Sequence, residues 1–118
     1  MKLQSHKDLQ VWKKAIDLVD EIYKITGQLP KTETYGLASQ MQRAAVAIPS
    51  NIAEGYKRNH RPEFVQFLGI SNASAAELET QLIITKRLYA DINCSKAESL
   101  LEEIQKMLYA LIKSLAVR

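Results

Sequence analysis

The side chains of this 118-residue chain that could do chemistry are few: His6, His60, Cys94 and a polar group made of Arg43, Ser50, Asn51, Glu54 and Glu77. The histidines fall in an expected tail and an expected turn. No H-x-x-x-H, E-x-x-H or C-x-x-C spacing accompanies them, so the pattern points away from zinc and di-iron centres. No glycine-rich phosphate loop is present, and no cofactor is expected. A serine nucleophile would need a base, and His60 is the only candidate near the second helix. A small helical ribonuclease would carry an Arg and, a few positions later on the same helix, a His. Arg58-Asn59-His60 has those residue types at the wrong spacing and across a turn, while Arg43 and Arg87 have no histidine downstream on their helices. The expectation is a protein that is not an enzyme, with a ribonuclease acting through His60 as the remote alternative.

The second grouping is basic. Lys57, Arg58, His60 and Arg61 lie together with Tyr56 beside them. The net charge is only +3, but it is unevenly placed. Lys2 and Lys7 precede any acid, whereas Lys13, Lys14 and Lys24 are outnumbered by Asp8, Asp17, Asp20 and Glu21, and the last 28 residues balance. Lys57, Arg58, Arg61, Lys2 and Lys7 are therefore the candidate contacts to RNA or DNA phosphates.

Four helices must position these groups. Glycine and proline are scarce, which argues against a sandwich or barrel. In 8–27 the apolar residues Leu9, Trp12, Ala15/Ile16, Val19 and Ile22/Tyr23 recur at helical steps, Asp8 suits the cap, and Gly27 with Pro30 supplies the stop. A second helix over about 33–58 starts with Thr32 or Thr34 as cap. Pro62 suits the first turn of a third, over about 62–90. Ser95 and Glu98 have the spacing of a capping box for a fourth, over 95–116. With short connections the expected fold is all-α: one domain over 1–118, an antiparallel up-down-up-down four-helix bundle. No apolar run approaches the roughly 20 residues that span a bilayer, so no membrane partner is expected. One cysteine and no apolar leader fit a reducing cytoplasm.

Pro49 interrupts the apolar pattern of the second helix at a cost of roughly 3 kcal/mol if nothing compensates. The third helix has a small, polar middle, SNASAAE. Pairing the two puts Arg43, Asn51 and Glu54 near Ser71, Ser74 and Glu77. The expectation is a kink and a buried polar lock, with Ser50 alongside, in which loss of Arg43 or Glu54 costs about 3–5 kcal/mol.

The segments LQVWKKAIDLVDEIYKIT, LPKTETYGLASQMQRAAVAIPSNIAEGYKR and EFVQFLGISNASAAELETQL resemble the 23S rRNA-intervening-sequence protein family. The most specific part is QMQRAAVAIPSNIAEG, carrying Arg43, Pro49, Asn51, Glu54 and Gly55. SNAS departs from the family, which more often has a glycine before the serine. The resemblance implies a bacterial four-helix bundle, a ring-like homopentamer with a basic surface, and a role near nucleic acid with no catalytic residues to carry over. Two readings follow. In one, a homo-oligomer, by that resemblance a pentamer, contacts RNA, DNA or a nucleoprotein through the basic turn. In the other, the bundle is a scaffold for a protein partner, with Val11, Leu18 and Ile25 on the back of the first helix serving the subunit interface.

Overall fold

Local signals set the helix ends, and the computed structural model, which describes residues 5–116, places several of them a few residues from their expected positions. The amino-terminal turn, His6–Asp8, closes on itself: Ser5 Oγ accepts from the Lys7 N–H (3.1 Å) and the Ser5 N–H donates to the Asp8 carboxylate (3.2 Å). Asp8 thus completes the box of this turn, and α1 (Gln10–Thr26) starts behind Leu9. After a second short turn, Lys31–Glu33, α2 (Leu37–Lys57) starts behind Gly36. Glu33 Oε1, and neither Thr32 nor Thr34, accepts the Leu37 N–H there at 3.2 Å. Three residues then lead into α3 (Arg61–Leu88), with Pro62 in its first turn. Asn59 makes that reversal with φ 52°, a left-handed conformation that asparagine tolerates better than most side chains. In place of the expected Ser95–Glu98 box, α4 (Ser95–Ala116) opens with the Ser95 N–H donating to Asn93 Oδ1 (3.0 Å), while Glu98 reaches across to Lys86 (3.0 Å).

Successive helices run antiparallel, and cross-helix pairs give the register. Ser71 meets Ile48 while Thr85 meets Met41, so α2 and α3 run in opposite directions. Gln105 meets Glu79 and Lys86 meets Glu98, which opposes α3 and α4. Lys14 pairs with Glu103 and Lys96 with Glu21, which opposes α1 and α4. Each helix packs on two neighbours in a closed square, and the expected up-down-up-down bundle is what the chain forms.

The core is a stack of aliphatic side chains. Leu18, Ile22, Met41, Ile48, Ile52, Leu68, Leu78, Ile104 and Leu108 are wholly buried. Each side chain of this size contributes about 1.5–3 kcal/mol by leaving water. On α1 the buried stripe is Val11, Ala15, Leu18, Ile22 and Ile25. This corrects the expectation that Val11, Leu18 and Ile25 form an outer face free for a second subunit: they are core. The apolar arc of α1 is wide, and Trp12, Val19 and Tyr23 occupy its edge. Periodicity finds such an arc but does not say which part of it the neighbouring helices cover.

The α2–α3 seam carries the small residues. A Cβ placed on Gly55 would lie 2.6 Å from Phe67 Cβ and 3.1 Å from a Phe64 ring carbon, so α3 passes almost against the backbone of α2. Farther along, the buried Ser71 hydroxyl donates to the Ile48 carbonyl at 2.9 Å, one residue before Pro49. Helix α2 runs unbroken through that proline, which is itself buried. Of the residues expected in the polar lock, Ser71 is the one that bonds across the seam among the described residues. Arg43, Ser50, Glu54 and Glu77 are exposed, and Asn51 folds back onto the Ala47 carbonyl of its own helix (2.8 Å). The expected buried ion pair is absent among the described residues, because a seam built from serine, glycine and alanine leaves no room for two long charged side chains.

At the opposite end of the bundle from the 58–60 turn, the Tyr89 hydroxyl donates to Glu33 Oε2 at 2.5 Å. Together with the Leu37 N–H, this bond holds the Glu33 carboxyl below its ordinary value; the same carboxylate, with some burial, raises the Tyr89 hydroxyl. The depressed carboxyl contributes stability that is lost as pH falls through its folded value. The raised phenol contributes stability that is lost as pH rises through its own. The urea midpoint of Tyr89→Phe should therefore fall furthest below the parent near neutrality, the gap narrowing in acid and again in alkali. Gly55→Ala should lower unfolding free energy by about 1–3 kcal/mol in denaturant titration, although alanine is the better helix former, since α3 must move to admit the methyl.

Candidate nucleic-acid interface

One end of the square gathers the amino terminus of α1, the α2–α3 turn and the carboxy terminus of α4. The turn is stiffened by its own rings and ions. Tyr56 and Phe64 meet edge to face with centroids 5.9 Å apart. Arg58 lies over the Phe67 ring, 5.0 Å from its centroid, and bonds Glu54 at 3.1 Å and Glu63 at 3.7 Å. His60 Nδ1 sits 3.5 Å from Glu63. Arg61 donates to the Leu115 carbonyl at 3.4 Å, tying the start of α3 to the end of α4.

These contacts divide the candidate cations. Arg58 is a brace between α2 and α3, with its charge met by two carboxylates, so it has the least to offer a phosphate. Lys57, Arg61 and Lys7 are exposed. Lys2 lies outside the described residues. The structure brings the His6–Asp8 turn against α2, so Lys7 stands one residue from a cleft of about 480 Å³ at this bundle end. Lys57, Asn59, His60 and Arg61 line that cleft together with His6, Tyr56 and Phe64. The first turn of α3 adds the positive end of a 28-residue helix. Sequence reasoning left His6 in a tail. Its place beside residue 60 is a tertiary fact, and no spacing in the chain announces it.

Two other surfaces are apolar. Between α3 and α4, Leu82, Ile83, Leu101 and Tyr109 line a cleft of about 650 Å³, with Ile83 48% and Tyr109 65% exposed. Glu79, Glu98 and Glu102 also line it, with Lys106, which pairs with Glu102 at 3.5 Å, while Lys86 meets Glu98 at 3.0 Å. On the diagonally opposite side, between α1 and α2, Tyr23 and Val46 are exposed beside Arg43. Cys94 is buried, and burial pushes its thiol up, away from a reactive thiolate. Among the described residues no group of three or more His, Cys, Asp or Glu side chains is placed to hold a metal, and no helix is long and apolar enough to cross a membrane.

Arg58→Ala should cost about 1 kcal/mol in chemical denaturation, from a cation–π contact and two exposed ion pairs. Arg43→Ala should stay within about 0.5 kcal/mol of the parent, as for a surface change. A loss near 3 kcal/mol for Arg43→Ala would restore the buried-pair reading.

A family model described as the 23S rRNA-intervening sequence protein matches residues 7–110. Among solved structures, the chain is similar to a protein of unknown function from the S23 ribosomal protein family of Bacteroides thetaiotaomicron VPI-5482. The two share 25% identity over 87% of this chain and 98% of the other, with a TM-score of 0.76. Comparison with curated proteins returns no match. The antiparallel bundle, the small-residue seam ending in Gly55 and the family match over nearly the whole chain agree: this protein belongs to the 23S rRNA-intervening sequence protein family.

Proposed function

We propose that this chain is a non-enzymatic, homo-oligomeric bundle of the cytoplasm that binds RNA or DNA, or a nucleoprotein, through its basic end. The observation that carries the reading is the meeting of Lys57 and Arg61 at one cleft with Ser5 and His6, from a separate part of the chain whose next residue is the exposed Lys7. Three exposed cations and a helix amino terminus are a modest electrostatic footprint for one subunit. Repetition in an oligomer multiplies it into a ring of positive potential. Self-association is supported by the two apolar faces. The Tyr23–Val46 face carries Arg43, the α3–α4 cleft carries Glu79 without a lysine partner among the described residues, and the two lie on opposite sides of the square. Contacts between unlike faces close into rings when the rotation permits, and the family resemblance favours a pentamer.

A second reading, a scaffold without nucleic-acid binding, draws on the same α3–α4 cleft, which would take an apolar, basic partner protein.

Binding of a labelled RNA measured across a salt series separates the two. The first reading expects affinity at low salt that falls with a log–log slope of about 0.7–0.9 per phosphate contact, and loss of that affinity in Lys57→Glu with Arg61→Glu. Affinity absent at low salt, or untouched by the double charge reversal, favours the scaffold. Sedimentation of a stable monomer would count against both.

A further inference from the structure

The cleft at the basic end has features beyond a phosphate-binding surface. It is concave, and its volume of about 480 Å³ lies within the roughly 300–1,000 Å³ that seats a small ligand. Its wall carries two imidazoles, a phenol and an amide, all of which can address a nucleobase by stacking or hydrogen bonding. The cations stand at the same wall: Lys57 where α2 ends and Arg61 where α3 begins, with His60 as the residue that caps α3.

His6 adds a separate observation. Its Nδ1 is one of two buried side-chain polar atoms with no hydrogen-bond partner among the described residues. The ring is held edge to face against Trp12, 5.2 Å between centroids. Buried imidazole nitrogens usually have a partner, and this one finds none among residues 5–116.

We infer that this cleft seats one unstacked nucleotide of a single strand, its phosphate on Lys57 and Arg61 and its base against Tyr56 and the two imidazoles. The inference rests on the nucleic-acid reading above and deepens it. A duplex keeps its bases stacked inside and presents only phosphates to such an end, so it gains from the cations but not from the cleft. A single strand gains from both. The protein therefore discriminates strandedness, not sequence, because every base has a face to stack.

The test uses the full chain, a short labelled single-stranded oligonucleotide and the same sequence as a duplex, at one low salt concentration. The single strand should bind about tenfold tighter or better, the range that stacking of one base supports. Tyr56→Leu and His6→Ala should each weaken the single strand more than the duplex, so that the ratio of the two affinities falls toward one. Circular dichroism reports whether either variant has lost its fold. In the parent, the ring-proton NMR signals of both histidines should move on adding the single strand, an observation independent of any variant. Equal affinity for the two forms, with the histidine signals unmoved, overturns the cleft as a nucleotide seat and leaves binding by the basic end intact. A free mononucleotide that shifts the histidine signals and displaces the strand supports the seat. No binding of either strand form removes the nucleic-acid reading and the seat together.

Discussion

Helix α3 passes Gly55 so closely that there is no space for a methyl group between them, and the geometry of the basic end of the bundle depends on that approach. With α2 and α3 in near contact, three residues suffice to reverse the chain. The reversal puts Phe64 and Phe67 within reach of Tyr56 and Arg58, and those contacts stiffen the turn. A wider seam would need a longer connection, and the cations at 57 and 61 would then sit on a loose loop. Order in the turn matters because a cation already held in place loses less freedom when it meets a phosphate.

The seam has a cost that the rest of the bundle offsets. Serine, alanine and glycine bury little apolar area, and Pro49 gives up a backbone bond. Ile48 and Ile52, on either side of the proline, are wholly buried and pack into the same core as Leu18, Ile22, Leu68 and Ile104. That burial keeps α2 continuous through the proline. The buried bond from the Ser71 hydroxyl to the Ile48 carbonyl ties α3 to this part of α2, as Thr85 Oγ1 to Met41 Sδ does farther along the seam. It shows how economical the polar content is: a hydroxyl where a pair of charges would have required desolvation of both.

Charge is distributed by the same geometry. Along the sides of the bundle, lysines meet glutamates across helices, as in Lys14–Glu103, Lys96–Glu21 and Lys86–Glu98. At the basic end, Glu54 and Glu63 meet Arg58 at the surface, and Lys7, Lys57 and Arg61 are exposed beside it. The excess charge of the chain is thus small in total yet directed to one end, which suits a subunit whose effect grows when copies are arranged around an axis.

The number of helices, their approximate bounds and their antiparallel order were legible in the sequence, because amphipathic periodicity, glycine and proline punctuation and short connections are local properties. The basic turn was legible for the same reason, its residues being adjacent. Three matters were decided only by the tertiary structure. Which part of the wide α1 arc is buried depends on the directions of α2 and α4, so Val11, Leu18 and Ile25 became core. Whether Arg43, Glu54 and Glu77 are paired inside or solvated outside depends on the separation of α2 and α3, and the approach at Gly55 left them outside. How Arg58 is braced depends on α3 folding back onto α2, which brings Glu63 and Phe67 to it, and the grouping of His6 with His60 at one cleft depends on residues more than fifty positions apart meeting at one end of a bundle. Local chemistry selects helices; only their mutual packing selects neighbours across that distance, and it is neighbours that make a site.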